Sequence, residues 1–313
     1  MESKKSIPRK LNERYQNSKL SKIINNPFTF IVPYLIMFSI FILLPTIISA
    51  GLAFTDFNTI QKPSFVGFQN FINLLTNDSV FLKSALANTL KYALIVGPIG
   101  YFLSFFLAWS LGQVTKRARV LYTVLIYSPS ITGGIMMTVV WQVFFSGDEA
   151  GYLNNLLLKI GFTKEPIIFL QNTNLLFPII ILIAIWSSAG VGFLAMIAGV
   201  LNVDRTLYEA AAIDGIKNRW QEVFYITIPM MKPQMLFGAV MAFVNAFNVS
   251  SVASALSGGN PPPQYAGWMI LDHANDFGFA RYEMGYASAI TIVLFIVAFL
   301  FNRISYRLFS EKD

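Results

Sequence analysis

The chain has no cysteine and a single histidine, His273, among its 313 residues. Disulfides and thiolate metal sites are excluded, and a multi-histidine metal centre or relay has nothing to be built from. Charge is scarce too. Asp, Glu, Lys and Arg make up 12% of the chain, about half of the roughly 25% usual in a soluble domain. So few charges cannot cover a water-soluble protein of this length, and the low hydrophobicity of a disordered chain is equally missing. No G-x-x-x-x-G-K-[ST] sequence is present, so the chain has no phosphate-cradling loop with which to hydrolyse ATP itself.

What remains is apolar: 55% of the residues are hydrophobic and 15% aromatic. About 20 apolar residues cross a bilayer as a helix. Stretches free of Asp, Glu, Lys and Arg predict spans at 28–55, 92–115, 120–147, 175–201, 234–256 and 284–302, six in all. The long stretches around the fourth and fifth spans are trimmed by a polar loop near Gln171 and by the Gly258-Gly259-Asn260-Pro261 turn. Apolar runs this long, without alternation, disfavour a β-barrel. The first exceeds the roughly 7–15 residues of a signal-peptide core, so it is predicted as a retained helix. The expected fold is all-α: a basic tail over 1–27, a six-helix membrane domain over 28–309, and a short tail over 310–313.

The net charge of +7 invites a nucleic-acid reading. Its distribution points elsewhere. With the six spans in place, 17 of the 23 Lys and Arg fall on one side, including both tails, while the acids divide eight and eight. This asymmetry predicts that both termini are cytoplasmic, the basic tail lying near anionic lipid, with no nucleic acid involved.

The large cytoplasmic segment, 202–233, reads as two short helices. Asp204 can cap the first, strong helix formers follow through Ile213, and Gly215 can end it in the left-handed conformation. Asn218 can cap the second, with Gln221 completing a box-like arrangement, and Pro229 and Pro233 prevent one continuous helix. The alanines at 210–212 leave a smooth surface for another protein.

Polar side chains at membrane depth are expensive and so are candidates for function. Asn245 and Asn248 are spaced to share one helix face in the fifth span. Helix–helix hydrogen bonding is the alternative use for them. Asp272, His273 and Asp276 in the last outer loop could suggest a metal site, but a polar loop facing a binding protein is the favoured reading. No acid or base lies inside a predicted span except Lys91 at an outer end, which argues against a proton-coupled or ion-gradient-driven transporter.

Glu209-Ala210-Ala211, Asp214-Gly215, Phe224, Ile226-Thr227-Ile228-Pro229 and Pro233 closely resemble the EAA loop of bacterial ABC importer permeases. The departures are Ile228 where Leu is usual and Asp204 where Pro often stands. Val66-Gly67 with Asn70-Phe71, Asn88-Thr89, Trp141, Phe144-Phe145 and the Gly258-Gly259 turn resemble elements of the carbohydrate branch, related to the membrane subunits of the maltose transporter. The resemblance implies that the chain is a non-catalytic permease subunit in the bacterial cell membrane, carrying a sugar delivered by an extracellular solute-binding protein. A second, related permease would complete the pathway as a heterodimer, and two ATP-binding subunits would hold ATP and magnesium, so this chain would bind no cofactor or metal. Glu209, Ala210, Ala211, Asp214 and Gly215 would form the coupling helix that docks on the ATPase. Asn245, Asn248, Ser188, Gly192 and Ser130 fall where the maltose permease meets sugar, although Ser130 and Gly192 replace aromatic residues there. Trp186, Ser187 and Tyr127 are further candidates. An importer for a non-sugar solute such as glycerol phosphate is the alternative, but an anionic substrate calls for Arg or Lys in the pathway, and no span contains one.

Overall fold

The computed structural model describes residues 27–132 and 134–309. The basic tail, apart from Pro27, and the predicted C-terminal tail lie outside them. Most of the described residues are helical, and the only β pairing among them is an isolated antiparallel bridge between Thr55 and Phe65. Four helices are long and apolar enough to cross a membrane: Phe28–Leu52 (α1), Phe81–Gly112 (α3), Thr173–Asn202 and Met284–Ile304. Two bent pairs pass the same test: Lys116–Ile131 (α4) with the helix Gly134–Phe144 (α5), and Arg219–Met230 (α10) with Lys232–Phe247 (α11). Short helices fill the connections: Gln69–Thr76 (α2), Tyr152–Lys159 (α6), Arg205–Ile213 (α9), Val252–Ser257 (α12) and Ile270–Asn275 (α13). The last helix, α14, runs from Met284 to Phe309.

The second helix starts eleven residues before its predicted start, because Lys83 and Lys91 do not interrupt it. At about 1.5 Å per residue α3 spans roughly 48 Å, well beyond a 30 Å hydrocarbon core, so lysines near its end reach the headgroup zone. Its other end is closed by Arg119, whose guanidinium donates to the carbonyls of Leu111, Gly112 and Val114 at 2.8–3.2 Å. Cationic donors at a helix C-terminus satisfy orphan carbonyls and favour the dipole.

Three of the predicted spans are broken midway. The fourth divides into Thr173–Trp186 (α7) and Val191–Asn202 (α8). The third breaks between α4 and α5, and the fifth stops at Phe247 and resumes as α12. These breaks separate two apolar cores. One holds Leu74, Phe81, Ile180, Phe247, Trp268 and Ile290; the other, next to the 202–233 segment, holds Leu111, Phe193, Met196, Ala211, Ile226 and Met231. In the second core α3, α8 and α11 pack backbone to backbone. A Cβ on Gly192 would lie 3.2 Å from the Gly238 Cα, and one on Gly238 would lie 2.5 Å from Met196 Cε. Small residues allow this approach, which drives helix association in lipid.

Candidate functional site

A cavity of about 520 Å³ lies between the two cores. Each broken helix contributes to it. Ser130 and Thr132 come from the end of α4, Ser187, Ser188 and Gly190 from the α7–α8 break, Asn245 from the last turn of α11, and Val252 and Leu256 from α12. Helix α3 adds Tyr101 and Ser104, and α5 adds Thr138 and Trp141. A break inside an apolar helix is tolerated where the freed backbone lines a cavity rather than lipid.

The wall is neutral and mixed: hydroxyls and one side-chain amide stand among mostly apolar residues such as Ile180, Phe193 and Met196. Ser130 Oγ donates to the Tyr127 carbonyl at 2.8 Å and Ser188 Oγ to the Ile185 carbonyl at 2.7 Å. Their protons are thus engaged locally, and their lone pairs remain as acceptors. The side-chain amide of Asn245 makes no hydrogen bond within the described residues and is exposed. Trp141 packs edge-on to Trp186 at 5.4 Å and stacks on Phe145 at 5.6 Å, forming an aromatic patch beside the polar groups. Among the described residues no Lys, Arg, Asp or Glu lines the cavity.

Four of the five predicted pathway residues meet here: Ser130, Ser188, Gly192 and Asn245. Asn248 does not line it. It caps α11, its side-chain amide folded back onto the Val244 carbonyl at 2.8 Å, because the helix ends one residue before the predicted shared face could form. Gly192 touches the cavity, but its packing against Gly238 makes it first a helix-crossing residue. Tyr127 and Ser187 line the cavity, whereas Trp186 meets it only through Trp141. Tyr101, Ser104 and Thr138 were missed; the hydroxyls inside otherwise apolar runs were their only signal.

The segment 202–233 folds as its caps predict. Asp204 accepts from the Thr206 amide at 3.0 Å, and that bond holds its carboxyl below the usual range. At the end of α9 the Ile216 amide donates to Ala211 and the Gly215 amide to Ala212, with Gly215 at φ +98°. This double bond pattern is a Schellman motif, and the left-handed residue costs glycine nothing. Asn218 accepts from the Gln221 amide at 2.9 Å, while Gln221 reaches back to Lys217 rather than to Asn218. Tyr208 and Thr227 hydroxyls meet at 2.9 Å, tying α9 to α10. Glu209, Ala210, Asp214 and Gly215 are exposed. Ala211 is not: it packs into the chain's own core beside Ile226 and Met231, so the alanine surface available to another protein excludes it. Ile213 on the same helix is 88% exposed, an aliphatic side chain left in water unless another surface covers it.

At the opposite end, Asp272 and His273 are both buried and turn to different partners. His273 Nε2 lies 2.8 Å from Asp78 Oδ2, which also accepts from the Tyr286 hydroxyl at 2.9 Å. Trp268 Nε1 donates to His273 Nδ1 at 3.4 Å, which assigns the proton to Nε2. Burial pushes the Asp78 carboxyl up, but the Phe81 amide, His273 and Tyr286 together hold it below the usual range. Asp272 accepts from two main-chain amides, yet burial still raises its carboxyl. Asp276 pairs with Arg281 at 2.7 Å. The polar loop predicted to face a binding protein is therefore largely an internal scaffold, with no three metal-ligating side chains together among the described residues.

Residues 98–312 match the family described as "Binding-protein-dependent transport system inner membrane component". The chain is 31% identical over 281 residues to the probable ABC transporter permease protein YesP of Bacillus subtilis, covering 90% of this chain and 89% of that one. It is 30% identical over 288 residues to the arabinooligosaccharides transport system permease protein AraP of the same organism, covering 90% and 88%. The fold matches a crystal structure of a bacterial ABC transporter involved in import of the acidic polysaccharide alginate, with a TM-score of 0.74 at 24% identity over 95% of this chain and 99% of that one. A family match over residues 98–312 of the chain settles its kinship: this chain belongs to the inner-membrane permease components of binding-protein-dependent ABC transporters.

Proposed function

We propose that the chain forms half of the translocation pathway of an ATP-driven importer for a neutral sugar or oligosaccharide. The observation that carries this reading is the cavity between the two cores, in which hydroxyls, the Asn245 amide and the Trp141 indole are set into an apolar wall with no Lys, Arg, Asp or Glu among the described residues that line it. A neutral polyhydroxyl solute needs such partners, whereas the phosphate of glycerol phosphate would need Arg or Lys there. The related AraP, named for arabinooligosaccharides, supports the sugar class. Each bent pair counts as one span in this reading, giving six, with both termini and the 202–233 segment cytoplasmic. Glu209, Ala210, Asp214, Gly215 and the exposed Ile213 meet an ATP-binding subunit, two of which supply ATP hydrolysis with magnesium. A second, related permease supplies the opposite wall, and a solute-binding protein delivers the sugar from outside.

The test is uptake by the complex reconstituted in vesicles with its ATPase subunits and binding protein. Glu209→Lys and Gly215→Asp leave insertion and assembly intact and lower uptake at least about tenfold, the scale of a lost coupling of roughly 1.4 kcal/mol. Unchanged uptake in both variants sinks the docking assignment.

A further inference from the structure

We propose that Asp272 is a positioning residue for transport: it locks the break in the fifth apolar segment to the loop before α14, so that this loop and the cavity wall move as one piece. The inference rests on the importer reading above. Asp272 is 3% exposed. Its Oδ1 accepts from the Ser251 amide at 2.5 Å and its Oδ2 from the Met269 amide at 2.9 Å, and no cation pairs with it among the described residues. The break is therefore capped by a carboxylate 21 residues away in sequence. Ser251 needs that support, because it holds a left-handed conformation, φ 63°, that a non-glycine residue adopts only at a cost.

The two sides of this link have different jobs. On the loop side, α13 and the residues before it are bolted to α3 and the turn before it: the Ile270 amide donates to Thr89 Oγ1 at 2.9 Å, Asn88 donates to the carbonyls of Tyr265 and Trp268, and His273 meets Asp78. On the cavity side, Ser251 begins α12, whose Val252 and Leu256 line the cavity and whose Ala255 carbonyl accepts from Gln142 of α5. The same loop carries Phe279 and Tyr282, 71% and 56% exposed, within reach of a delivering protein. The loop also packs directly on α12, where Gly267 approaches Ala253, but the Asp272 carboxylate is the hydrogen-bonded link through which a push on that tip reaches the Ser251 break. Coupling of two sites needs such a discrete, shared element.

The experiment uses the whole complex in vesicles, reading ATP hydrolysis with and without the binding protein. An amide in place of the carboxylate can accept from only one of the two N–H groups, so Asp272→Asn lowers binding-protein-stimulated hydrolysis about tenfold while the unstimulated rate stays within about twofold. Asp272→Ala loses at least as much stimulation. Adding Ser251→Gly to Asp272→Ala removes the left-handed strain without restoring the link, so stimulation stays low. Normal stimulation in Asp272→Asn overturns the proposal. Recovery of stimulation in the double variant overturns it as well, because Asp272 would then serve only the local shape of the break. So does an equal fall of both rates. An unaltered complex that the binding protein fails to stimulate would instead overturn the importer reading itself, and this proposal with it.

Discussion

Asp78, in the turn before α3, and Asp272, in the loop before α14, are shifted in opposite senses. Asp78 is held below the ordinary carboxylate range, outweighing its burial, by the Phe81 amide, His273 and Tyr286. The unfolded chain therefore binds a proton at Asp78 more readily than the folded one. Its stabilisation is present above the ordinary range and is lost as pH falls through the depressed folded value. Asp272, raised by burial, runs the other way: its charged form carries a penalty that acid relieves. In detergent, Asp78→Asn should lower the melting temperature at neutral pH, and its difference from the unaltered protein should shrink below about pH 4; a constant difference would show that the charge of Asp78 plays no part. Residues adjacent in sequence invited a common reading for Asp272, His273 and Asp276. Their actual partners, Ser251, Asp78 and Arg281, come from the element each side chain reaches, and no spacing reports that.

Broken helices carry the site at the element scale. Runs of apolar residues located the four long helices and the two bent pairs, because hydrophobicity accumulates along the chain and tolerates a short irregularity. The same averaging hides the irregularity. Nothing in the composition around Ser187 marks the α7–α8 break more strongly than any other Ser-rich turn, and at the break in the fifth segment the Ser251 amide finds its acceptor on Asp272, 21 residues away. The starting point of α3 was misplaced for a similar reason, since exclusion of Lys91 cut a helix whose end reaches polar surroundings. Close packing of α8 on α11 yields a direct test. Gly192→Val puts branched carbons where the Gly238 backbone lies 3.2 Å from a Cβ, and overpacking of this kind costs about 1–3 kcal/mol. A lower melting temperature in detergent is expected, with no change for Gly51→Ala, whose Cβ meets nothing within 4 Å. Equal melting of the two variants would refute a packing role for Gly192.

At the scale of the whole chain, much apolar surface is uncovered by the chain itself. None of the described α4 residues is buried, and the α1 span is 0% buried within the chain. Lipid can cover apolar faces, but Asn245 and Asn248 are exposed polar residues near the middle of a broken membrane segment, where lipid is a poor partner. In the proposed reading a second permease covers them. Copurification should therefore recover the chain with one other permease in equal amount. Asn245→Ala should keep that stoichiometry while weakening uptake by about tenfold, the scale of a lost hydrogen bond in a dry site; uptake with unaltered affinity and rate would remove Asn245 from the pathway.

Scarce charge, long apolar runs and the Glu209–Pro233 pattern were enough to establish a helical membrane protein and its family. Transfer of a segment into lipid depends on summed hydrophobicity, and caps such as Asp204, Asn218 and Gly215 act within a few residues, so both are readable along one dimension. The tertiary structure alone decided that Asn245 lines the cavity while Asn248 caps a helix, that Ala211 turns inward, and that Gly192 seals a helix crossing. Those outcomes depend on where each helix stops and which neighbour it meets. A one-residue shift in a helix end turns its side chains by about 100°, enough to move an amide from the pathway to the backbone.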